Sequence, residues 1–154
     1  MPSCRRPGRT TGSSIAGVDS TGIHHVGIAV PDLGEAVETY TRIFAATLEH
    51  REVVVEQGVE AASVLVGSNR IELLAPTGDD TPVGRFLAKR GPGVHHLAYV
   101  VDDVALALQG LAADGVELID TVPRVGLFGL QVAFIHPDAV HGVLTEVVAV
   151  ARVT

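Results

Sequence analysis

Two segments of the chain carry the same chemically capable side chains in the same order. The first opens with the histidine pair His24-His25, and the second opens with His95-His96, 71 positions later. Each pair begins a strand-like apolar run and is followed by an aspartate and an alanine-rich helical pattern. Imidazole nitrogens are ligands for divalent transition metals. The duplication therefore predicts a metal site assembled from two related halves.

A glutamate inside an apolar strand follows each histidine pair. Glu72 stands between Ile71 and Leu73, and Glu146 stands between Thr145 and Val147. A carboxylate buried among apolar residues is costly unless it is paired, protonated or bound to a metal. Two imidazoles and two carboxylates would neutralise a divalent ion and leave positions in an octahedral shell for exchangeable ligands. This mixed donor set suits Co, Mn, Ni, Fe or Zn, without selecting one of them.

Strand alternation indicates which histidine of each pair is the ligand. Successive side chains of a strand point to opposite faces of the sheet. His25 shares a face with small Gly27, whereas His24 shares its face with bulky residues that suit a helix-covered core. The same alternation favours His96 over His95. The predicted metal ligands are His25, Glu72, His96 and Glu146, with His24 and His95 as the alternatives.

The spacing of apolar residues predicts an α+β chain in which a βαβββ order occurs twice. The first half is predicted to contain a strand at 23–30, a helix at 33–46 capped by Asp32, and strands near 50–56, 60–66 and 70–75. The second half is predicted to contain a strand at 94–101, a helix at 104–113 capped by Asp103, and strands near 116–119, 131–135 and 143–149. A short helix is predicted at 82–90.

These elements divide the chain into an extension and one domain. Residues 1–22 are polar, basic and rich in Pro and Gly, which predicts a disordered N-terminal extension. The domain covers 23–152 and consists of module one at 23–76, a connector at 77–93 and module two at 94–152. Two modules are expected to share one core, because each alone buries too little apolar surface to be stable.

Composition excludes several classes of partner. The formal net charge of −7 over 154 residues argues against a nucleic-acid partner. No apolar run is long enough for a membrane span, and no secretory signal is visible. The single cysteine, Cys4, allows no internal disulfide. We therefore expect a cytoplasmic protein.

The segments that carry these motifs resemble a known family. They match the vicinal oxygen chelate superfamily, which includes glyoxalases, bleomycin resistance proteins and dioxygenases, and within it the methylmalonyl-CoA epimerase family. The histidine strands alone resemble the superfamily, whereas the Phe-Leu-Ala-Lys connector and the His-Pro…Gly-Val-Leu-Thr-Glu ending resemble the epimerases. The matching segments are 24–30, 56–59, 71–76, 86–91, 93–98, 101–103, 134–137 and 142–146.

The resemblance implies a curved mixed sheet around a metal cleft, an acyl-CoA substrate and a homodimer. It also implies interconversion of (2R)- and (2S)-methylmalonyl-CoA through an enolate stabilised by a divalent cation. Some bacterial relatives carry a glutamate base where this chain has Ala61, and Glu60 is of opposite strand parity. Glu72, Glu146 or a bound water are therefore the candidates for proton transfer, with Glu72 ranked first.

Three alternatives stay open at this stage. A lactoylglutathione lyase (glyoxalase I-like), which resembles this chain in fold, would also use a His/Glu/His/Glu metal set. A small-molecule-binding protein of the same fold would need no metal, and an epimerase of another 2-substituted malonyl-CoA is also compatible.

Some further residues have predicted secondary roles. Lys89, Arg90 and Arg85 are candidates for CoA phosphates, His136 for a turn, His50 and His141 for the surface, and residues 126–129 for a flap near the site.

Overall fold

The computed structural model describes residues 17–150, which form one eight-stranded mixed sheet with three helices. The strands are β1 (Gly22–Ala29), β2 (Thr47–Val54), β3 (Val59–Val66), β4 (Asn69–Pro76), β5 (Gly93–Val101), β6 (Arg124–Val125), β7 (Gln131–Ile135) and β8 (Thr145–Ala149). The helices are α1 (Leu33–Phe44), α2 (Pro82–Arg90) and α3 (Val104–Ala113). The strand order across the sheet is β2-β3-β4-β1-β5-β8-β7-β6.

The two halves of the sequence repeat occupy equivalent places in the sheet. The two histidine strands, β1 and β5, pair antiparallel at the centre of the sheet. The glutamate strand of the same half lies parallel to each of them, β4 beside β1 and β8 beside β5. The predicted α+β architecture with tandem modules in a curved mixed sheet is confirmed.

The first helix of each half begins in the same way. The Asp32 side chain accepts a hydrogen bond of 2.8 Å from the Glu35 backbone N–H, and Asp103 accepts one of 2.9 Å from Leu106. Each aspartate therefore satisfies a donor that the first turn leaves unpaired. Helix α1 ends at Phe44, two residues before the predicted end, because Ala45 adopts a left-handed conformation with φ of 52°.

The two faces of the sheet carry different cores. One face packs against α1 through a cluster that includes Leu33, Val64 and Leu73, and against α3 through a second cluster around Val104. The opposite face encloses a smaller cluster that includes Ala61. Helices α1 and α3 therefore cover the outer face. Helix α2 packs against the inner cluster through Val83, Phe86 and Leu87, and the rest of the inner face is left to hold a functional site.

Two local predictions differ from the structure. The strand predicted at 116–119 is wrong, since only Leu118 forms an isolated bridge, to Ile135. The two-residue strand β6 was not predicted, because two residues show no alternation to recognise. Strand β2 lies earlier than the predicted 50–56, since residues 55–57 form a 3₁₀ turn that ends at Gly58 with φ of 65°.

The ends of the predicted domains lie partly outside the described residues. Of the predicted extension at 1–22, residues 1–16 are outside the described range, and Val18 packs against the cluster beneath α3. Residues 151–152 of module two are also outside it. The module and connector boundaries stay predictions. None of the helices in the described part of the chain has the length and apolar character needed to cross a membrane.

Candidate metal centre

Two rows of side chains cross the middle of the sheet. In the first row, Gly27 lies opposite Glu72 on one side and opposite His96 on the other. The second row runs in the opposite sense and contains Glu146, Ala98 and His25. Each row therefore has a small residue on a central strand, flanked by a glutamate and a histidine. Because the rows adjoin, all four polar side chains meet near the junction of β1 and β5.

The four predicted ligands converge at this point. The His25 Nε2 atom lies 3.3 Å from Glu72 Oε2, 3.7 Å from Glu146 Oε1 and 2.9 Å from His96 Nε2. His96 Nε2 lies 3.7 Å from Glu146 Oε2. All four residues are buried, with exposed fractions between 2% and 7%. The structure thus brings the two histidines and two glutamates to one buried location.

Gly27 provides the space for one of the rings. A Cβ atom at this position would lie 2.2 Å from His96 Cε1 and 2.4 Å from His96 Nδ1, closer than real Cβ atoms approach other atoms. The small-residue face that the sequence predicted beside the histidines is therefore the physical reason that His96 fits.

Burial dominates the protonation of the two carboxyl groups. It raises the pKa of Glu72 to about 7, with the charge of Glu52 adding to the effect and Arg70 opposing it. It also raises the pKa of Glu146 well above its ordinary value, with Glu72 and then Asp120 as further causes and Arg124 opposing. Without a cation at this point, Glu146 therefore favours the neutral acid, and Glu72 changes between its neutral and charged forms near pH 7.

Burial acts on the histidines in the opposite direction. It lowers the pKa of His25 to about 3, and the nearby His24 and Arg70 lower it further. The pKa of His96 is held well below its ordinary value by burial, His25 and His95. Both rings are neutral at physiological pH, so their short contacts with the glutamates are not ion pairs.

This set of groups fits a divalent cation. Metal binding requires neutral imidazoles with an available nitrogen lone pair, and the lowered pKa values of His25 and His96 supply the neutral rings. Ligand atoms of His25, Glu72 and His96 lie within 4.8 Å of one another, and Glu146 contacts both rings. A divalent ion would balance two carboxylates that are otherwise buried without a compensating charge.

Strand alternation placed His24 and His95 toward the helix-covered core, and this expectation is wrong. The histidines that alternation preferred as ligands, His25 and His96, do lie at the centre of the site. The pairing of β1 with β5 shifts register between Ile23 and His25 and again between Gly27 and Ile28. As a result, His24 Nδ1 lies 2.8 Å from His25 Nδ1, and His95 Nδ1 lies 3.0 Å from His96 Nδ1. A register shift interrupts strict alternation. His24 and His95 therefore contact the ligand candidates instead of pointing into the helix-covered core.

Comparison with known proteins places these features in a family. A family model described as the Glyoxalase/Bleomycin resistance protein/Dioxygenase superfamily matches residues 24–134. The mitochondrial methylmalonyl-CoA epimerase of Dictyostelium discoideum is 37% identical over 90% of this chain and 84% of its own length. The chain belongs to the methylmalonyl-CoA epimerase family.

Solved epimerase structures share the fold at similar identity. The methylmalonyl-CoA epimerase of Mycobacterium tuberculosis is 36% identical, with a TM-score of 0.82 over 93% of this chain and 94% of that one. A variant of the Streptomyces coelicolor epimerase in complex with 2-nitronate-propionyl-CoA is 40% identical, with a TM-score of 0.83 over 88% and 98% of the two chains. The predicted resemblance to the epimerase family is thereby confirmed.

This member of the epimerase family has an apolar side chain at the position that the sequence comparison raised for a glutamate base. Ala61 is fully buried and packs in the inner apolar cluster. Its neighbour Glu60 accepts a hydrogen bond of 2.8 Å from Arg51 Nε on the surface, so it points away from the site as predicted. Neither position 60 nor position 61 therefore brings a carboxylate to the metal centre.

A turn from the second half covers the site of this epimerase-family chain. In the 3₁₀ turn Leu127–Gly129, the Phe128 backbone N–H donates a hydrogen bond of 2.8 Å to Glu52 Oε1 on β2. The His50 ring stacks on Phe128 with centroids 4.7 Å apart. Leu127 and Phe128 line a small cavity together with His25 and both glutamates. The predicted flap is thus beside the site, whereas the role of Glu52 was missed because a glutamate on an edge strand gives no distinctive signal.

A second cavity of about 130 Å³ opens beside His96. Its walls are mostly apolar and include Phe134 and Leu144, with Gln57 and Arg124 as polar members. The His96 ring, one of the four candidate metal ligands, forms part of its wall.

The remaining histidines have local roles. His136 Nδ1 accepts a hydrogen bond of 3.1 Å from the Asp138 backbone N–H and so organises the turn after β7, as predicted. The His136 ring also approaches Glu117 in a surface group with Asp138. His141 ends that turn in a left-handed conformation and is exposed.

Proposed function

We propose that this chain is a metal-dependent epimerase that interconverts (2R)- and (2S)-methylmalonyl-CoA. The observation that carries the proposal is the convergence of two histidines and two glutamates on one buried point in a member of the epimerase family. We assign His25, Glu72, His96 and Glu146 as the ligands of a divalent cation. The donor set is compatible with Co, Mn, Ni, Fe or Zn.

The chemistry requires removal of a weakly acidic proton. C2 of methylmalonyl-CoA lies between a thioester and a carboxylate, so loss of its proton gives an enolate with charge on the thioester oxygen. A divalent ion held by the four side chains would supply a Lewis acid that stabilises this charge. The protein must then move a proton to and from both faces of C2, because epimerisation inverts that centre.

The strand order supplies a carboxylate on each side of the site. Glu72 is on β4 and Glu146 is on β8, and these strands lie on opposite sides of the central pair β1 and β5. We therefore propose both glutamates as the groups that exchange the C2 proton, one from each face. Glu72 ranks first, since it is the more exposed of the two, at 7% compared with 3%.

The cavity beside His96 is the proposed acyl site. Its apolar walls suit the 2-methyl group, and the Arg124 guanidinium at its edge suits the free carboxylate of the substrate. Lys89 and Arg90 at the end of α2, and Arg85 near its start, stay candidates for the CoA phosphates. Of these, Arg85 donates to the Asp80 carbonyl, and Arg90 lies 5.7 Å from the centre of the Phe86 ring.

The alternatives receive less support. The relatives and solved structures reported above are named as methylmalonyl-CoA epimerases, which does not favour a lactoylglutathione lyase. A metal-free binding protein would have no need to bury two histidines and two glutamates together. Another 2-substituted malonyl-CoA stays a candidate substrate, since Ala61 adds no bulk or charge. A homodimer and a cytoplasmic location stay predictions.

Proton exchange in deuterated water tests the proposal. Purified protein loaded with each candidate metal is incubated with (2R)- or (2S)-methylmalonyl-CoA, and deuterium at C2 is followed by NMR or mass spectrometry. We expect exchange and epimerisation that a chelator abolishes and metal restores. Parallel reactions with ethylmalonyl-CoA and with the hemithioacetal of methylglyoxal and glutathione separate the alternatives. Absence of C2 exchange in every metal-loaded form would contradict the proposal.

A further inference from the structure

An ion pair lies beside His24, the neighbour of the proposed metal ligand His25. Arg70 on β4 donates hydrogen bonds to both carboxylate oxygens of Glu49, from Nε at 2.8 Å and from Nη2 at 2.6 Å. Ser63 Oγ donates a third hydrogen bond of 2.8 Å to the same carboxylate. This paired geometry fixes the plane of the guanidinium. The remaining terminal nitrogen, Nη1, lies 3.1 Å from His24 Nε2.

A continuous series of ring contacts leads from that nitrogen into the metal centre. His24 Nδ1 lies 2.8 Å from His25 Nδ1, and His25 Nε2 lies 2.9 Å from His96 Nε2. His96 Nδ1 in turn lies 3.0 Å from His95 Nδ1. Four histidine rings are thus linked in order, with Arg70 at one end.

The guanidinium sets the direction of the hydrogen bonds along this series. Arginine donates but cannot accept, so His24 Nε2 must accept from Arg70. An imidazole whose Nε2 accepts a hydrogen bond has its one remaining N–H on Nδ1. His24 therefore carries its proton on Nδ1 and donates it to His25 Nδ1. His25 must then carry its own proton on Nε2, the atom that faces the metal centre.

We propose that Arg70, held by Glu49, is a positioning residue that keeps the proton of His25 on Nε2 in the metal-free protein. This inference rests on the proposed metal site. A metal ligand needs a lone pair on that nitrogen, so binding requires the Nε2 proton to leave or the His24–His25 hydrogen bond to reverse. Reversal would turn a protonated His24 Nε2 toward the Arg70 donor. Arg70 therefore opposes metal uptake at His25.

In the part of the chain that the structure describes, no arginine forms a hydrogen bond with the other histidine pair. The His95 ring packs against Phe86, with centroids 5.0 Å apart, and burial is the cause of its lowered pKa. His96 can donate from Nδ1 to His95 Nδ1 and keep a lone pair at Nε2, which accepts from His25 Nε2 in the metal-free protein. The two halves of the site are thus chemically different, although the sequence repeat makes them look equivalent.

The test begins with the metal-free wild-type protein, in which ¹⁵N NMR of labelled histidine rings reports the protonated nitrogen. Single His→Asn variants assign the signals. We expect His24 protonated on Nδ1 and His25 protonated on Nε2. A wild-type His25 protonated on Nδ1 would overturn the inference without any variant. This measurement involves neither metal nor substrate, so its result is independent of whether the epimerase proposal succeeds.

Substitutions at Arg70 then test the cause. Arg70→Gln offers an amide oxygen that can accept from His24 Nε2, so we expect the His25 proton to move to Nδ1 and the metal dissociation constant to fall about tenfold. Arg70→Lys keeps a charged donor and should retain the wild-type tautomer and affinity. Arg51→Gln, which removes the surface ion pair with Glu60, is the matched control and should change neither. Tautomers unchanged in Arg70→Gln, or altered equally in Arg51→Gln, would contradict the role of Arg70.

Discussion

The His96 ring occupies the space into which any residue larger than glycine at position 27 would place its Cβ atom. Gly27 and His96 are direct partners across β1 and β5, and this contact lies in the same row as Glu72. The absence of a side chain at position 27 on β1 therefore decides whether His96 on β5 can reach the metal centre.

Gly27→Ala should displace His96 and weaken metal binding by about two orders of magnitude. The added methyl group would meet the ring at 2.2 Å, so the ring or strand must move, at a cost of about 1–3 kcal/mol in stability. Calorimetric metal titration and thermal unfolding measure the two effects. Gly93→Ala, where an added Cβ meets nothing within 4 Å, is the control. Equal metal affinity in the two variants would contradict the role of Gly27.

Loss of either central histidine should remove the metal. His25→Ala and His96→Ala each delete one proposed ligand nitrogen, so we expect no stoichiometric metal after dialysis and no C2 exchange. Elemental analysis of the dialysed protein measures the first effect. His141→Ala, on the exposed surface, should retain full occupancy. Retention of metal by both central variants would move the assignment to His24 and His95.

Substitution of Glu72 and substitution of Glu146 should slow proton exchange to different extents for the two substrate epimers. Glu72→Gln and Glu146→Gln keep an oxygen ligand but remove a proton acceptor, so each should lower exchange by about 10²- to 10⁴-fold. If each serves one face of C2, each variant should slow exchange most strongly for the substrate epimer whose proton faces it. Deuterium incorporation from (2R)- and (2S)-methylmalonyl-CoA, at matched metal occupancy, measures this. Equal loss with both epimers in both variants would argue against a two-face mechanism.

Metal affinity should fall as pH is lowered through about 7. The Glu72 carboxyl has its pKa raised to about 7, so protons compete with the ion below that value. Calorimetry in buffers of different ionisation enthalpy would detect proton release on binding. A metal affinity independent of pH between 5 and 8 would contradict this coupling.

The metal-free protein should lose stability as pH rises above 6.5. The folded pKa of Glu72 is raised, so its contribution is complete below the ordinary value of 4.5 and is lost as pH rises through about 7. The folded pKa of His25 is lowered, so its contribution is complete above 6.5 and is lost as pH falls toward about 3. Above pH 6.5 the contribution of His25 to stability is constant, and of these two groups only Glu72 still changes its contribution. Thermal unfolding of chelator-treated protein between pH 6.5 and 8 measures the decline, and saturating metal should suppress it.

Glu52→Ala should loosen the turn over the site. It removes the acceptor of the Phe128 N–H, so amide hydrogen exchange at Phe128 should accelerate while the sheet stays protected. The control, Glu56→Ala, keeps the hydrogen bond between Arg124 and the residue 56 backbone carbonyl. Unchanged exchange at Phe128 in Glu52→Ala would mean that the His50 stack alone holds the turn.

The sequence predicted the helices and most strands because their determinants are local. Asp32 and Asp103 begin helices by capping them, and alternation marks the central strands. The segment at 116–119 has strand-like composition, yet it gains only one bridge, because the Phe134 backbone N–H donates to the Asp120 side chain and not to a backbone carbonyl of this segment. Partners available in the folded sheet, rather than propensity, decided that element.

The candidate site was predictable only where a pattern repeats. Glu72 and Glu146 were recognisable because each is a carboxylate in an apolar strand that follows a histidine pair. The positions of His24 and His95 depend on register shifts that leave no trace in composition. Arg70 and Glu49 also could not be found, since their relation to His24 exists only after distant strands pair.

Each of the two rows takes its glutamate from one half of the chain and its histidine from the other. Glu72 belongs to the first half and shares a row with His96, whereas Glu146 belongs to the second and shares a row with His25. An isolated half therefore contains no complete row, but two copies of one half, packed as β1 packs on β5, would contain two. A symmetric pair of identical modules would thus contain the whole donor set. In a single chain the two halves can differ at equivalent positions, and the contact of Arg70 with His24 is such a difference.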